Sequence, residues 1–257
     1  MGRPRGTFGG FFISQDFTHE ILVKLLIQND YYIFIHFSLA SVTPRHSPLN
    51  GGAMHPNPAF RKTPTEQNLD FARARGFGML TVNGAGGPVL AHVPFLLSDD
   101  GSHADLHLAR SNGVIAAGVP AKAVLAVVGP DAYVSPDWYG VADQVPTWNY
   151  IAVHLRGELT PLPREALEPH LNAVSDWFEA RLAPKPIWKT AKMTEGVMAR
   201  MMRMILPFRL TISGVDGTWK LGQNKTGAAR QGVIAALEAQ GGVPAELARQ
   251  MRDVPEI

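Results

Sequence analysis

Four residues near one apolar pair have side chains suited to holding an anion. His107, Arg110, Ser111 and Asn112 follow or interleave with Leu106 and Leu108, gathering one rigid guanidinium fork and several short neutral donors in a single stretch. That is the composition of a phosphate cradle. A solvated strand end followed by a turn uses the same residue types, and on composition alone it is the stronger reading. His103 and His107 are four residues apart, which on a helix would aim two imidazoles at one zinc ion. Here the stretch reads as a strand, where four residues extend about 13 Å, too far for both rings to reach one ion. Ala104 also stands where a zinc-protease motif needs Glu. No metal site is expected.

A second concentration of chemistry lies at Trp148, Tyr150, His154 and Arg156, which occupy one face of a strand whose other face carries Ile151, Val153, Leu155 and Leu159. The polar and aromatic face is free for chemistry or for a subunit interface. Met193, Val197, Met198, Met201, Met202 and Ile205 recur at helical spacing, so a core stripe is expected rather than a sulfur-rich site. Lys185, Lys189, Lys192, Arg200, Arg203 and Arg209 flank that stripe. With a formal net charge of only +2, a solvated helix face is expected ahead of a nucleic-acid patch. The chain shows no nucleophile elbow, no assignable Ser/His/Asp set and no clear helix-turn-helix.

The elements that must position these residues can be read from periodicity. Thr65–Arg75 reads as a helix capped by Thr65 and ended by Gly76. Phe77–Val82 and Val89–Leu97 read as a hairpin around a glycine-rich turn at 83–88, since the glycine spacing is not the dinucleotide fingerprint and a strand follows. Ala104–Ala109, Ala121–Gly129, Pro146–Leu159 and Phe208–Ile212 are further strands, the second apolar enough to be buried on both faces. Arg164–Leu182, Thr190–Leu206 and Lys225–Gln240 are helices, followed by a polar, Pro-containing tail. Strands in hairpins with no helix between each pair predict an α+β fold, an antiparallel barrel with peripheral helices.

The 257 residues are 46% hydrophobic and 18% charged, which excludes a disordered chain. The absence of cysteine removes disulfides, thiolate metal sites and a cysteine nucleophile, and it fits a reducing, cytoplasmic setting. Residues 1–53 read differently from the rest. Their apolar stretches are broken by Lys24 and by Gln28-Asn29-Asp30 and are too short to span a membrane. The turn-rich link through Pro44, Pro48, Gly51 and Gly52 leads to Met54, so 1–53 is expected to be a leader outside the functional domain, with 54–241 the domain and 242–257 a polar tail.

Several uncommon strings are left over from this reading. They are Gly129-Pro130-Asp131-Ala132-Tyr133-Val134-Ser135-Pro136-Asp137-Trp138-Tyr139, Val145-Pro146-Thr147-Trp148-Asn149-Tyr150 and Lys220-Leu221-Gly222-Gln223-Asn224-Lys225, preceded by Met54-His55-Pro56-Asn57-Pro58-Ala59-Phe60, Ala91-His92-Val93-Pro94 and His107-Leu108-Ala109-Arg110-Ser111-Asn112. Together they resemble the PaiB-like family of FMN-binding negative transcriptional regulators, from Met54 to about Gly241. The resemblance implies a split β-barrel of the pyridoxamine-phosphate-oxidase-like kind, and a homodimer with flavin at the subunit interface. It implies that His107, Arg110, Ser111 and Asn112 hold the FMN phosphate. Trp148, Asn149 and Tyr150 would then face the flavin ring, His92 would line the pocket, and Lys220, Gln223, Asn224 and Lys225 would complete the site from the partner subunit. Gly222 departs from the family's usual Ser, Ala229 from a usual Asp and His55 from a usual Tyr. A flavin-dependent oxidoreductase on a small substrate is the alternative reading, because the same barrel supports both; direct contact with DNA has no support from charge or motif.

Overall fold

The computed structural model describes residues 20–27, 31–38 and 54–254. The chain divides into two units, Met1–Gly52 and Ala53–Ile257, and every candidate site residue lies in the second. In the first, β1 (Glu20–Ile27) pairs antiparallel with β2 (Tyr31–Ser38); the rest of the expected leader lies outside the described residues.

In the second unit, β3 (Phe77–Gly84), β4 (Gly87–Leu97), β5 (His103–Ala109), β6 (Ala121–Val134), β7 (Thr147–Pro161) and β8 (Ile205–Lys220) close a barrel in the order β3-β4-β5-β8-β7-β6. Every ladder is antiparallel. Helices α1 (Thr65–Arg75), α2 (Gly113–Ala116), α3 (Leu167–Glu179), α4 (Val197–Met202), α5 (Gly227–Gln240) and α6 (Gly242–Arg252) surround it. This is the α+β split-barrel architecture. The expected glycine hairpin forms, with Gly84 opposite Gly87 and Gly87 at φ 118°, where a side chain would be strained.

Alternation decides what fills the barrel. Leu80, Phe95, Leu106, Leu125, Val153, Leu155, Phe208 and Leu210 point inward and are fully buried or nearly so, each contributing about 1.5–3 kcal/mol through its removal from water. A second core joins Val134, Ile151, Trp219 and Leu221 to Val233, Ile234 and Leu237 of α5 and Leu247 and Met251 of α6. Where a polar tail is expected, the chain therefore forms a helix whose apolar residues complete this core.

Four other expectations change. The expected helix over 190–206 is a 3-10 turn at Thr190–Lys192 and the short α4, entered through Gly196 at φ 76°. From Ile205 the chain is a strand instead, drawn into the sheet by pairing with β5. The methionine stripe is consequently no core: no residue of α4 is buried, and Met201 and Met204 are exposed. β6 is buried along its inward face, while Lys122, Val128 and Tyr133 are exposed on the other, because an antiparallel sheet can leave one face to solvent. β8 runs for 16 residues, well beyond the expected Phe208–Ile212.

Candidate flavin site

The candidate residues fall into two groups at opposite ends of β8. At the first end, Ala109 of β5 pairs with Ile205. Arg110 follows directly; its backbone N–H donates to Met204 O and its Nε to Arg203 O. These bonds fix the arginine stem where β8 begins and leave the exposed terminal nitrogens to donate elsewhere. Ser111 is exposed beside it. Asn112 caps α2, its Oδ1 accepting from Val114 N at 2.9 Å, so only its amide N–H groups remain for a ligand.

His107 turns away from this group. Its ring lies on the outer face of β5 under α3, with Nδ1 3.2 Å from His170 Nε2. Burial pushes His107 down from the ordinary histidine range. Burial and then His107 itself push His170 down to about 4, with Asp105 opposing them. Asp105 is occupied by Arg209, whose Nε and Nη2 donate to its two oxygens at 2.7 and 2.8 Å. His170 was not legible as a partner, because only the docking of α3 on β5 brings residues 63 apart together.

At the other end of β8, Lys220 is the register partner of Tyr150, and Tyr150 pairs on its other side with Asp131. Trp148 and Tyr150 share the outer face of β7; Trp148 is 53% exposed and meets Tyr133 edge-on at 6.3 Å. That leaves a wide aromatic surface open for stacking. Burial raises the Tyr150 hydroxyl's pKa, so the group remains a neutral donor. Asn149 points the other way, as period two requires, and its amide lies against Met251 Sδ in the second core. Gln223 is likewise structural: it accepts from Leu221 N at 2.8 Å and donates to Trp219 O. Asn224 is exposed. Lys220 Nζ donates to Thr147 Oγ1, and Lys225 Nζ donates to Gln144 Oε1 at 2.6 Å while lying 4.8 Å from the Tyr139 ring centre. Thr147, Gln144 and Tyr139 carry no charge or rare spacing that marks them in the sequence, although Tyr139 and Thr147 lie inside the uncommon strings 129–139 and 145–150.

His92 is exposed on β4 opposite Met79, and no hydrogen bond or ring contact among the described residues ties it to either group. The departures at residues 55, 222 and 229 have local reasons. His55 accepts from Asn57 N and packs edge-on against Phe60. Gly222 sits at φ 77°, where glycine is favoured over serine, and Ala229 is buried in the second core.

From Ile205 to Lys220 is about 50 Å of strand path at ~3.3 Å per residue. Arg110 and the Trp148 surface stand at the two ends of that path. Two clefts flank α3, one of about 440 Å³ against Leu96 and Trp177 and one of about 290 Å³ against Trp188, and neither includes a candidate residue.

The family described as "Putative FMN-binding domain" matches residues 54–214. The chain is 28% identical over 182 residues to "Protease synthase and sporulation protein PAI 2" of Bacillus subtilis, covering 70% of this chain and 86% of that protein. Among solved structures, an FAD and heme binding protein from Mycobacterium smegmatis is 17% identical, with TM-score 0.45 over 63% of this chain and 73% of that one. The flavocytochrome Anf3 from Azotobacter vinelandii is 15% identical, with TM-score 0.46 over 63% and 69%.

Proposed function

Because the chain belongs to this FMN-binding domain family, we propose that it is a homodimeric FMN-binding protein of the PaiB-like kind, acting in negative transcriptional regulation, with each flavin shared between two protomers. The observation that carries the shared site is the separation of its two halves along β8. With Arg110 and Trp148 at opposite ends of β8, Arg110 of one chain and the aromatic surface of another can serve the same molecule in a closed C2 pair. The surface for such a pair is available. Phe77, Leu90, Val128, Tyr133 and Trp148 are large apolar residues left exposed on strands β3, β4, β6 and β7, which are consecutive in the barrel.

In this arrangement the Arg110 guanidinium and the Ser111 hydroxyl take the phosphate, helped by the Asn112 amide. Trp148 stacks on the ring and the Tyr150 hydroxyl donates to its edge. His107 braces α3 rather than touching the ligand. Flavin, when bound, supplies electron and hydride transfer, and the protein supplies position and electrostatics. The regulatory role is what the resemblance of the chain's uncommon strings to the PaiB-like family implies.

Arg110→Ala should weaken FMN by at least about tenfold while leaving riboflavin affinity nearly unchanged, since only FMN has the phosphate. Trp148→Ala should weaken both ligands alike. Mixing unfolded Arg110→Ala and Trp148→Ala chains and refolding them together should restore about a quarter of the sites, because half the dimers are mixed and each has one intact site. No restoration on mixing would refute the shared site. Anaerobic addition of NADH or NADPH tests the role: a flavin that stays oxidised agrees with regulation, and rapid bleaching identifies an oxidoreductase.

A further inference from the structure

The methionine stripe that fails to enter the core lies in the open, beside Arg110. From Met198 the chain reads Met-Ala-Arg-Met-Met-Arg-Met; Met201 is 56% exposed and Met204 67%. Arg110 holds this stretch from the end of β5, its backbone N–H donating to Met204 O and its Nε to Arg203 O at 2.5 Å. Between residues 189 and 204 the cations Lys189, Lys192, Arg200 and Arg203 stand against Glu195 alone. Arg200 and Arg203 are exposed, and neither forms an ion pair among the described residues. Methionine and arginine are the residues enriched where one protein surface covers another, whereas a face made only for solvent favours lysine and glutamate. Unbranched methionine also keeps several rotatable bonds, so it can fit a surface of irregular shape.

We propose that α4 and Met204 dock on a second copy of the chain, with the two exposed methionines against the partner's Tyr133 and the partner's Trp148, and with Arg200 or Arg203 paired to the partner's Asp131. The location rests on the shared-flavin reading. There Arg110 and the aromatic surface of another protomer serve one ligand, so the residues bonded to Arg110 are carried to that surface with it. The surface has the matching chemistry. Tyr133 and Trp148 are 45% and 53% exposed and meet edge-on, and a thioether is attracted to such rings from about 5 Å. Asp131 is exposed on the same outer face, as the register partner of Tyr150. No ion pair among the described residues engages it, so its carboxylate is free for an arginine fork. Lys220 is the register partner of Tyr150 on the other side, and its charge directs an incoming arginine toward the Asp131 side. In a closed pair the contact forms twice, once beside each flavin, so that flavin binding and association support each other.

The chain has no cysteine, so introduced thiols report neighbours without background. The full chain carrying Met204→Cys and Tyr133→Cys together, treated with a short bis-maleimide at micromolar concentration, should run at twice the chain mass on a denaturing gel. Either substitution alone should stay at the mass of one chain. A second measurement uses Met201→Asp/Met204→Asp, which should raise the dimer dissociation constant at least about tenfold in sedimentation, because carboxylates replace apolar contacts at two places in the pair. Both positions are exposed in one protomer, so the circular dichroism of this variant should match that of the unmodified protein. Arg200→Asp/Arg203→Asp should weaken the dimer as well, and adding Asp131→Arg should recover part of the loss, which damage to the fold does not do. A doubly substituted chain that links only within itself, single variants that link as readily, or a dimer constant unchanged in the methionine variant each overturns the proposal. If the unmodified protein is a dimer and mixing Arg110→Ala with Trp148→Ala chains restores flavin sites, any of those results removes this docking and leaves the shared flavin standing. An unmodified protein that sediments as a monomer overturns both.

Discussion

His170 shows how one buried contact ties stability to pH. Its bond with His107 needs at least one neutral ring to accept, and both rings are held below the ordinary histidine range. An unfolded histidine titrates near 6.5 and folded His170 at about 4, so between those values the unfolded chain binds more protons and stability rises with pH. Acidification from pH 7 should therefore cost on the order of 2–3 kcal/mol from this residue, lost as pH falls from about 6.5 to 4. Urea midpoints at pH 7 and pH 4.5 measure it. His170→Gln, which can still bond His107, should show a smaller drop than the unmodified protein; an equal drop in both would remove His170 as the cause. At this same scale Arg110, Trp148 and Tyr150 are candidates the sequence offers, since a charge and an aromatic face need no partner to be noticed. That His107 meets His170 and Asn149 meets Met251 is not readable there, because those partners are distant in sequence.

The register of β7 against β8 decides which side chains reach the outer face. It shifts between Arg156 and Gly157, and at Gly157 an added Cβ would lie 1.9 Å from Thr211 O, which is backbone and cannot turn aside. Gly157→Ala should thus force the two strands apart and cost about 2–3 kcal/mol, read as a lower denaturant midpoint. It should also weaken flavin binding, since Tyr150 and Lys220 belong to the same ladder and a slip of one residue exchanges the faces. A stable variant with unchanged flavin affinity would show that the bulge is dispensable. A glycine within a strand is a legible hint of a bulge, but its partner Ile212 on β8 is not, because no spacing along the chain says which strand will lie beside β7. The expected 190–206 helix failed for a related reason: local spacing favoured a helix, while the pairing of Ile205–Leu210 with β5 favoured a strand.

For the whole molecule, two outcomes follow from its division into units and from its exposed apolar face. The chain from Met54 onward should fold with the melting temperature and flavin affinity of the full chain, because both cores and all candidate residues lie in the unit Ala53–Ile257. An insoluble or unfolded product would show that the first unit is needed. Sedimentation at micromolar concentration should give the mass of two protomers, and a monomer there would count decisively against the shared flavin. The sequence by itself determined the antiparallel α+β barrel, the inward face of β7 and the family, since alternation and short uncommon strings are local properties that survive without knowledge of contacts. Only the tertiary structure decided that the phosphate-type and ring-type residues stand at opposite ends of one long strand. Closing the barrel brings β5 and β7 to the same neighbour, β8, and so fixes distances between residues that no spacing along the chain reports.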